Sequence, residues 1–231
     1  MSTAGTDRVH PAPIWYTVVV RAEVTEMLDT LRRGGIRDKR VLEAMASVPR
    51  ELFVPTALRG EAYADRALTI DCGQSISQPL IVAAVAQALE ISPGDRILDV
   101  GTGSGYQAAV LAACGAMVVG IERVAELAEA ARARLAAAGF DIAVHVGDGS
   151  RGLPEEAPFD SIAVAATAPR LPVALPRQLR EGGRLVIPLH RHGDEMDDLV
   201  RLRVVGGRWV TESLGPCRFV PLIGDDAYPR T

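Results

Sequence analysis

Residues 95–122 read DRILDVGTGSGYQAAVLAACGAMVVGIE: an apolar strand, a loop with three glycines, a helix, a second strand and a closing carboxylate. That order constrains the fold more than anything else in the chain. Gly101, Gly103 and Gly105 let the backbone turn sharply after the strand and let a ligand approach the main chain closely. The helix that follows, Tyr106 to Cys114, aims its free N-terminal amides at the same place. Glu122 closes the second strand about 20 residues after the glycines, where such folds hold ribose hydroxyls. The pattern predicts a nucleoside ligand, against the simpler alternative of a buried turn whose glycines serve packing alone.

The spacing narrows the nucleoside. A triphosphate loop needs Lys and then Ser or Thr after its last glycine, whereas Gly105 is followed by Tyr106 and Gln107. A dinucleotide loop needs GxGxxG, and GTGSG closes in five residues. Asp99, just before the loop, would repel a phosphate and attract an ammonium group. A nucleoside carrying a cationic amino-acid tail fits, which describes S-adenosylmethionine.

The whole chain sets further bounds. Its 231 residues suffice for one α/β domain with a sizeable core. A net charge of −4 with scattered Lys and Arg lacks the basic footprint of a nucleic-acid binder. No apolar run reaches the length of a membrane span and no signal-peptide pattern opens the chain, so the expectation is a cytoplasmic protein without membrane contact; a monomer is also expected. Cys72, Cys114 and Cys217 are far apart and odd in number, which argues against a disulfide framework or a zinc site and predicts no metal.

Apolar spacing predicts a helix over Val18–Arg33, stopped by Gly34 and Gly35, and another over Asp38–Ser47 with Asp38 as its N-cap. The polar residues 1–17 read as a disordered extension, residues 18–224 as a single domain and residues 225–231 as a tail. After Glu122 come an Ala-rich helix ending at Gly139, a strand Ile142–Val146, a strand Phe159–Ala166, a helix Pro172–Leu179 and a strand Arg184–Leu189. Such alternation implies a mainly parallel, doubly wound sheet. Leu199–Val205 and Arg208–Leu214, joined by Gly206 and Gly207, read as an antiparallel hairpin at its edge, the arrangement of the S-adenosylmethionine-dependent, Rossmann-like methyltransferase fold.

In such a sheet ligands bind at the C-terminal ends of the strands, where GTGSG, Glu122 with Arg123, Asp148 with Gly149, and the residues after strand four converge. Asp148 would accept a hydrogen bond from the adenine amine, or would serve only as a turn-forming Asp between glycines. After strand four stand Ala166, Thr167, Ala168 and Pro169, with no aromatic or amide to grip a flipped base. The acceptor is therefore expected to be an anion already.

Upstream, DCGQSISQP (Asp71–Pro79) is uncharged around its centre and rich in donors, and Pro79 opens an amphipathic helix. Ser77 reads equally as the N-cap of that helix and as an active-site hydroxyl. GQSISQP, LDVGTGSGYQ, GDGSRGLPEEAPFDSI, EGGRLVIPL and RFVPL together resemble the bacterial protein-L-isoaspartate O-methyltransferase family from about Val24 to Ile223, with Ser75 where that family usually has Thr. The resemblance implies methyl transfer from S-adenosylmethionine to the free carboxylate of L-isoaspartyl residues in damaged proteins and peptides. It implies Ser77 as the active-site serine and Gln74, Ser75 and Ile76 as pocket neighbours. Asp99, Gly101, Thr102 and Gly103 would lie on the methionine side, Glu122 on the ribose, Arg123 over the purine, and Asp148 with Gly149 at the adenine. Two other readings compete: a carboxyl methyltransferase acting on Asp in one dedicated peptide precursor, and a cofactor-binding protein without catalysis.

Overall fold

The computed structural model describes residues 22–191, 193 and 195–229. The expected disordered extension and the first four residues of the Val18–Arg33 helix lie outside them. Helix α1 (Ala22–Arg33) buries Val24, Met27 and Leu31, one face at helical spacing. Helix α2 (Lys39–Ser47) starts at the expected cap, where Asp38 accepts the amides of Arg40 and Val41. Two-residue strands β1 (Leu68–Thr69) and β2 (Ser75–Ile76) pair antiparallel and fold the donor-rich segment into a small hairpin.

Helix α3 (Pro79–Leu89) buries seven of its 11 residues, so the expected amphipathic helix is instead enclosed on most sides. Its C-terminus turns left-handed at Glu90 (φ 51°), a conformation unusual outside glycine. The Glu90 carboxylate is held by Arg184, Arg201 and Arg203. Burial pushes its pKa up, but the hydrogen bond from Arg203 and the charges of all three arginines outweigh that and hold it below the ordinary value. This anchors α3 to the sheet.

The central chain then alternates: β3 (Arg96–Val100), α4 (Tyr106–Ala113), β4 (Met117–Glu122), α5 (Ala125–Ala137), β5 (Ala143–Val146), β6 (Phe159–Val164), β7 (Leu179–His190), β8 (Asp197–Val205) and β9 (Arg208–Cys217). The sheet order is β5-β4-β3-β6-β7-β8-β9, parallel from β5 to β7, with β8 and β9 added antiparallel as a hairpin. Strand β3 sits where the order reverses, which opens a crevice at its C-terminal end.

Residues of alternate strand positions feed two cores. Ile97, Ala163 and Val186 face the layer built from all five described α-helices. Leu98, Val100, Ile162, Val164, Leu185 and Ile187 face the other side. Each fully buried aliphatic side chain contributes about 1.5–3 kcal/mol, so both faces need covering. The second face is covered by loops carrying Leu153, Leu175 and Leu222.

The expected Pro172–Leu179 helix is absent. A 3₁₀ turn spans Pro176–Gln178 and Leu179 already begins β7. Gln178 takes over what helical hydrogen bonds would have done: its Oε1 accepts the Leu153 amide at 2.9 Å, and its Nε2 donates to the carbonyls of Arg151 (2.7 Å) and Ala174 (3.1 Å). The stretch expected to begin a tail at Asp225 folds back instead. The Asp225 amide donates to Asp148 Oδ2 at 2.8 Å and the Asp226 amide to Ser150 Oγ at 3.1 Å.

Candidate active site

At the C-terminal end of β3 the chain turns through Gly101, Gly103 and Gly105, all with positive φ (78°, 52° and 93°). Gly105 is constrained twice, because a Cβ there would also lie 3.1 Å from Leu135 Cγ on α5. The turn leads into α4, whose first residue, Tyr106, is buried and lines the cleft. Thr102 Oγ1 donates to the carbonyl of Asp99 at 3.1 Å and ties the loop to its strand.

A cleft open to solvent lies there, with about 770 Å³ of empty space, open solvent included. Gln74, Ser75, Ile76 and Ser77 form one wall, and Gly101, Thr102, Gly103, Glu122, Arg123 and Gly149 form the other. Ten of the 12 residues expected at the site therefore meet in one place. Ala165, Ala166 and Val220–Ile223 also line it. Ala166 belongs to the segment after strand four that the sequence places at the site; Val220–Ile223, although marked by RFVPL, was not assigned to it.

Glu122 is 7% exposed, with each carboxylate oxygen accepting a backbone amide at 3.0 Å: Oε2 from Gly103 and Oε1 from Val124. Its orientation is fixed before any ligand arrives. Arg123 is exposed at the rim.

Asp99 and Asp148 do not line the cleft. Asp99 is fully buried beneath the glycine loop, where its Oδ1 accepts from Gln107 Nε2 at 2.8 Å and its Oδ2 has no hydrogen-bond partner. Burial pushes its pKa up to about 6; the hydrogen bond from Gln107 works against that shift, and the charge of Glu122 adds to it. Gln107 itself lines the cleft.

Asp148 turns both oxygens toward protein. Oδ1 accepts the Ser150 amide (3.0 Å) and hydroxyl (2.7 Å), and Oδ2 accepts the Asp225 amide. The structure therefore favours the turn-forming reading at this residue, with a wider reach: Asp148 fastens the segment after Leu222 beside Gly149.

Ser77 does not cap α3. The helix begins after Gln78, which makes no side-chain cap, and the Leu80 amide is taken by Asp65 Oδ1 at 2.9 Å. No described residue engages the Ser77 hydroxyl, which faces a shared cleft with the glycine loop. Its carbonyl is held instead by Arg50 Nη2 at 2.7 Å.

Among the described residues no helix is long and apolar enough to cross a membrane, and no three His, Cys, Asp or Glu gather as metal ligands.

Comparison with known proteins agrees with this geometry. The family described as protein-L-isoaspartate(D-aspartate) O-methyltransferase matches residues 22–227. The chain is 53% identical over 204 residues to a protein-L-isoaspartate O-methyltransferase of Koribacter versatilis, covering 87% of this chain and 91% of that one. It is 53% identical over 206 residues to the Methylorubrum extorquens enzyme of the same name, covering 88% and 90%. A Plasmodium falciparum chain assigned to the same enzyme class, solved in complex with S-adenosyl-L-homocysteine, superposes with a TM-score of 0.76 at 27% identity, covering 87% of this chain and 98% of that one. The chain belongs to the protein-L-isoaspartate(D-aspartate) O-methyltransferase family.

Proposed function

We propose that the chain transfers the methyl group of S-adenosylmethionine to the free α-carboxylate of L-isoaspartyl residues in damaged proteins and peptides, with Ser77 orienting the acceptor. One observation carries this reading: the Gln74–Ser77 segment and the glycine loop with Glu122 line the same cleft.

Bound there, S-adenosylmethionine supplies a methyl group on a sulfonium, open to attack along the axis of its bond to sulfur. In this reading Glu122, fixed by two amides, holds the ribose hydroxyls, and the Gly101–Gly103 turn lets the methionine part lie against the backbone. Asp99, buried beneath the loop, acts on that end through Gln107, which it holds at the cleft. Arg123 covers the purine from the rim. Asp148 acts at the adenine end indirectly, by holding Gly149 and the segment after Leu222 in place.

The acceptor carboxylate has a pKa near 4 and is ionised at neutral pH, so no general base is needed. Among the described residues no His or Lys lines the cleft. The chain's contribution is alignment and exclusion of water: the Ser77 hydroxyl donates to one carboxylate oxygen and leaves the other to attack, while Ile76, Val82 and Val220–Ile223 supply apolar walls. The ester product closes spontaneously to a succinimide, which opens in part to ordinary aspartate.

Mass spectrometry of an isoaspartyl peptide incubated with the protein and S-adenosylmethionine tests this chemistry. A methylated peptide, then a succinimide, then an aspartyl peptide are expected in that order. An isoaspartyl peptide that stays unchanged contradicts it.

A further inference from the structure

Arg50 is 0% exposed, yet among the described residues it forms no ion pair. A buried cation with no carboxylate in contact is costly, and a guanidinium does not shed its charge to escape the cost; Asp65 attracts this one without forming an ion pair. Neutral groups hold this one. Its Nε–H donates to the Ala62 carbonyl at 2.6 Å, its Nη2 donates to the Ser77 carbonyl at 2.7 Å, and its carbon lies 4.6 Å from the centre of the Tyr106 ring. Nη1 has no partner. Tyr106 is fixed in turn by Phe53, edge-on with ring centres 5.6 Å apart, and lines the cleft as the first residue after the glycine loop.

One side chain thus joins three parts of the site: the segment from Arg50 to Ala62, the acceptor wall at Ser77, and the helix that opens from the glycine loop. Arg50 fixes the Ser77 carbonyl while Asp65 fixes the Leu80 amide three residues on, so the backbone on which the Ser77 side chain stands is held at both ends. A misplacement of about 1 Å at a reacting group costs on the order of a hundredfold in rate, so this tether is well placed to matter.

We propose that Arg50 is a positioning residue for methyl transfer, setting the direction of the Ser77 hydroxyl by holding the Ser77 carbonyl from a guanidinium that itself packs on the Tyr106 ring. This rests on the reading of Ser77 given above. The tether acts on the acceptor and leaves the cofactor half of the cleft, held by Glu122 and the glycines, as it is. Lysine in its place keeps the charge but cannot bridge two carbonyls and lie flat on the ring.

The test is a cycle of four full-length proteins: wild type, Arg50→Lys, Ser77→Ala and the double variant. Arg50→Lys is expected to lower kcat at least tenfold, with S-adenosylhomocysteine affinity and peptide KM each within about threefold. In the Ser77→Ala background the same change should lower kcat less than threefold. Equal losses in both backgrounds, or an unchanged kcat in Arg50→Lys, overturn the proposal. If Arg50→Lys does not fold, Arg50→Gln takes its place in the cycle. Amide hydrogen exchange gives a readout independent of turnover: residues 75–78 should exchange at least tenfold faster in the Arg50 variant, and residues 98–113 at the wild-type rate. Unaltered exchange at 75–78 overturns the tether even if methyl transfer is intact. A wild-type protein that does not methylate isoaspartyl peptide refutes the reaction, and the exchange result still decides the tether.

Discussion

The amide of Gly103 donates to Glu122 Oε2 at 3.0 Å, so the glycine loop after β3 and the acid that ends β4 form one closed unit. The other oxygen of Glu122 is held by the Val124 amide. The carboxylate is thus oriented in advance, and a ligand need not bear the entropy of ordering it.

Replacing Glu122 by Gln keeps the shape but turns an NH₂ group toward one of those amides. Cofactor affinity is expected to fall by about 1–3 kcal/mol, the cost of a buried amide left unpaired. Calorimetric titration with S-adenosylhomocysteine checks this, and an unchanged Kd removes Glu122 from the site.

Asp99 gives a stability signature with a definite sign. Its folded pKa, near 6, lies above the ordinary 3.8 because burial penalises the charged form. Its contribution is therefore fully present below pH 4 and is lost as pH rises through 6, by about 3 kcal/mol over that window. Other carboxylates titrate there too, so the comparison is with Asp99→Asn in denaturant melts at each pH. Wild-type stability relative to the variant should fall from pH 4 to pH 7 and then level off; a relative gain over the same range contradicts the shift.

Ser77→Ala removes the hydroxyl and leaves the carbonyl bond to Arg50 in place. Turnover on an isoaspartyl peptide should drop by about tenfold or more, equivalent to about 1.4 kcal/mol of barrier, with cofactor Kd unmoved. Equal losses in turnover and in cofactor binding would assign Ser77 to the cofactor instead.

The segment from Leu222 to Tyr228 depends on Asp148. A Cβ at Gly224 would collide with Asp148 Oδ1 and Ser150 Oγ, which only displacement can relieve. Gly224→Ala and Asp148→Ala should therefore share one phenotype: faster amide exchange over 223–228, weaker cofactor binding and a stability loss of about 1–3 kcal/mol. Variants that differ in exchange over that segment break the link between the two residues.

The parts of the site legible in the sequence were those whose chemistry is local. The glycine turn, Glu122 at the end of its strand and the capping Asp38 each act within a few residues of themselves, and spacing is enough to read them. The Pro172–Leu179 helix expected from strand–helix alternation does not form, because the backbone there is satisfied by Gln178 reaching to Arg151, Leu153 and Ala174, a tertiary device with no sequence period. Asp148 was aimed at the ligand because nothing near it in sequence announces that Asp225, 77 residues later, supplies its partner. Arg50 went unread for the same reason, since its partners Ala62, Ser77 and Tyr106 gather only in the fold.

The central claim is that the acceptor is the isoaspartyl carboxylate, and matched peptides that differ only in isoaspartate or aspartate at one position test it directly. Incubated with the protein and methyl-labelled S-adenosylmethionine, the isoaspartyl peptide should take up label that base releases as methanol, and the aspartyl peptide should take up none. Label on the aspartyl peptide alone, or on neither, contradicts the account.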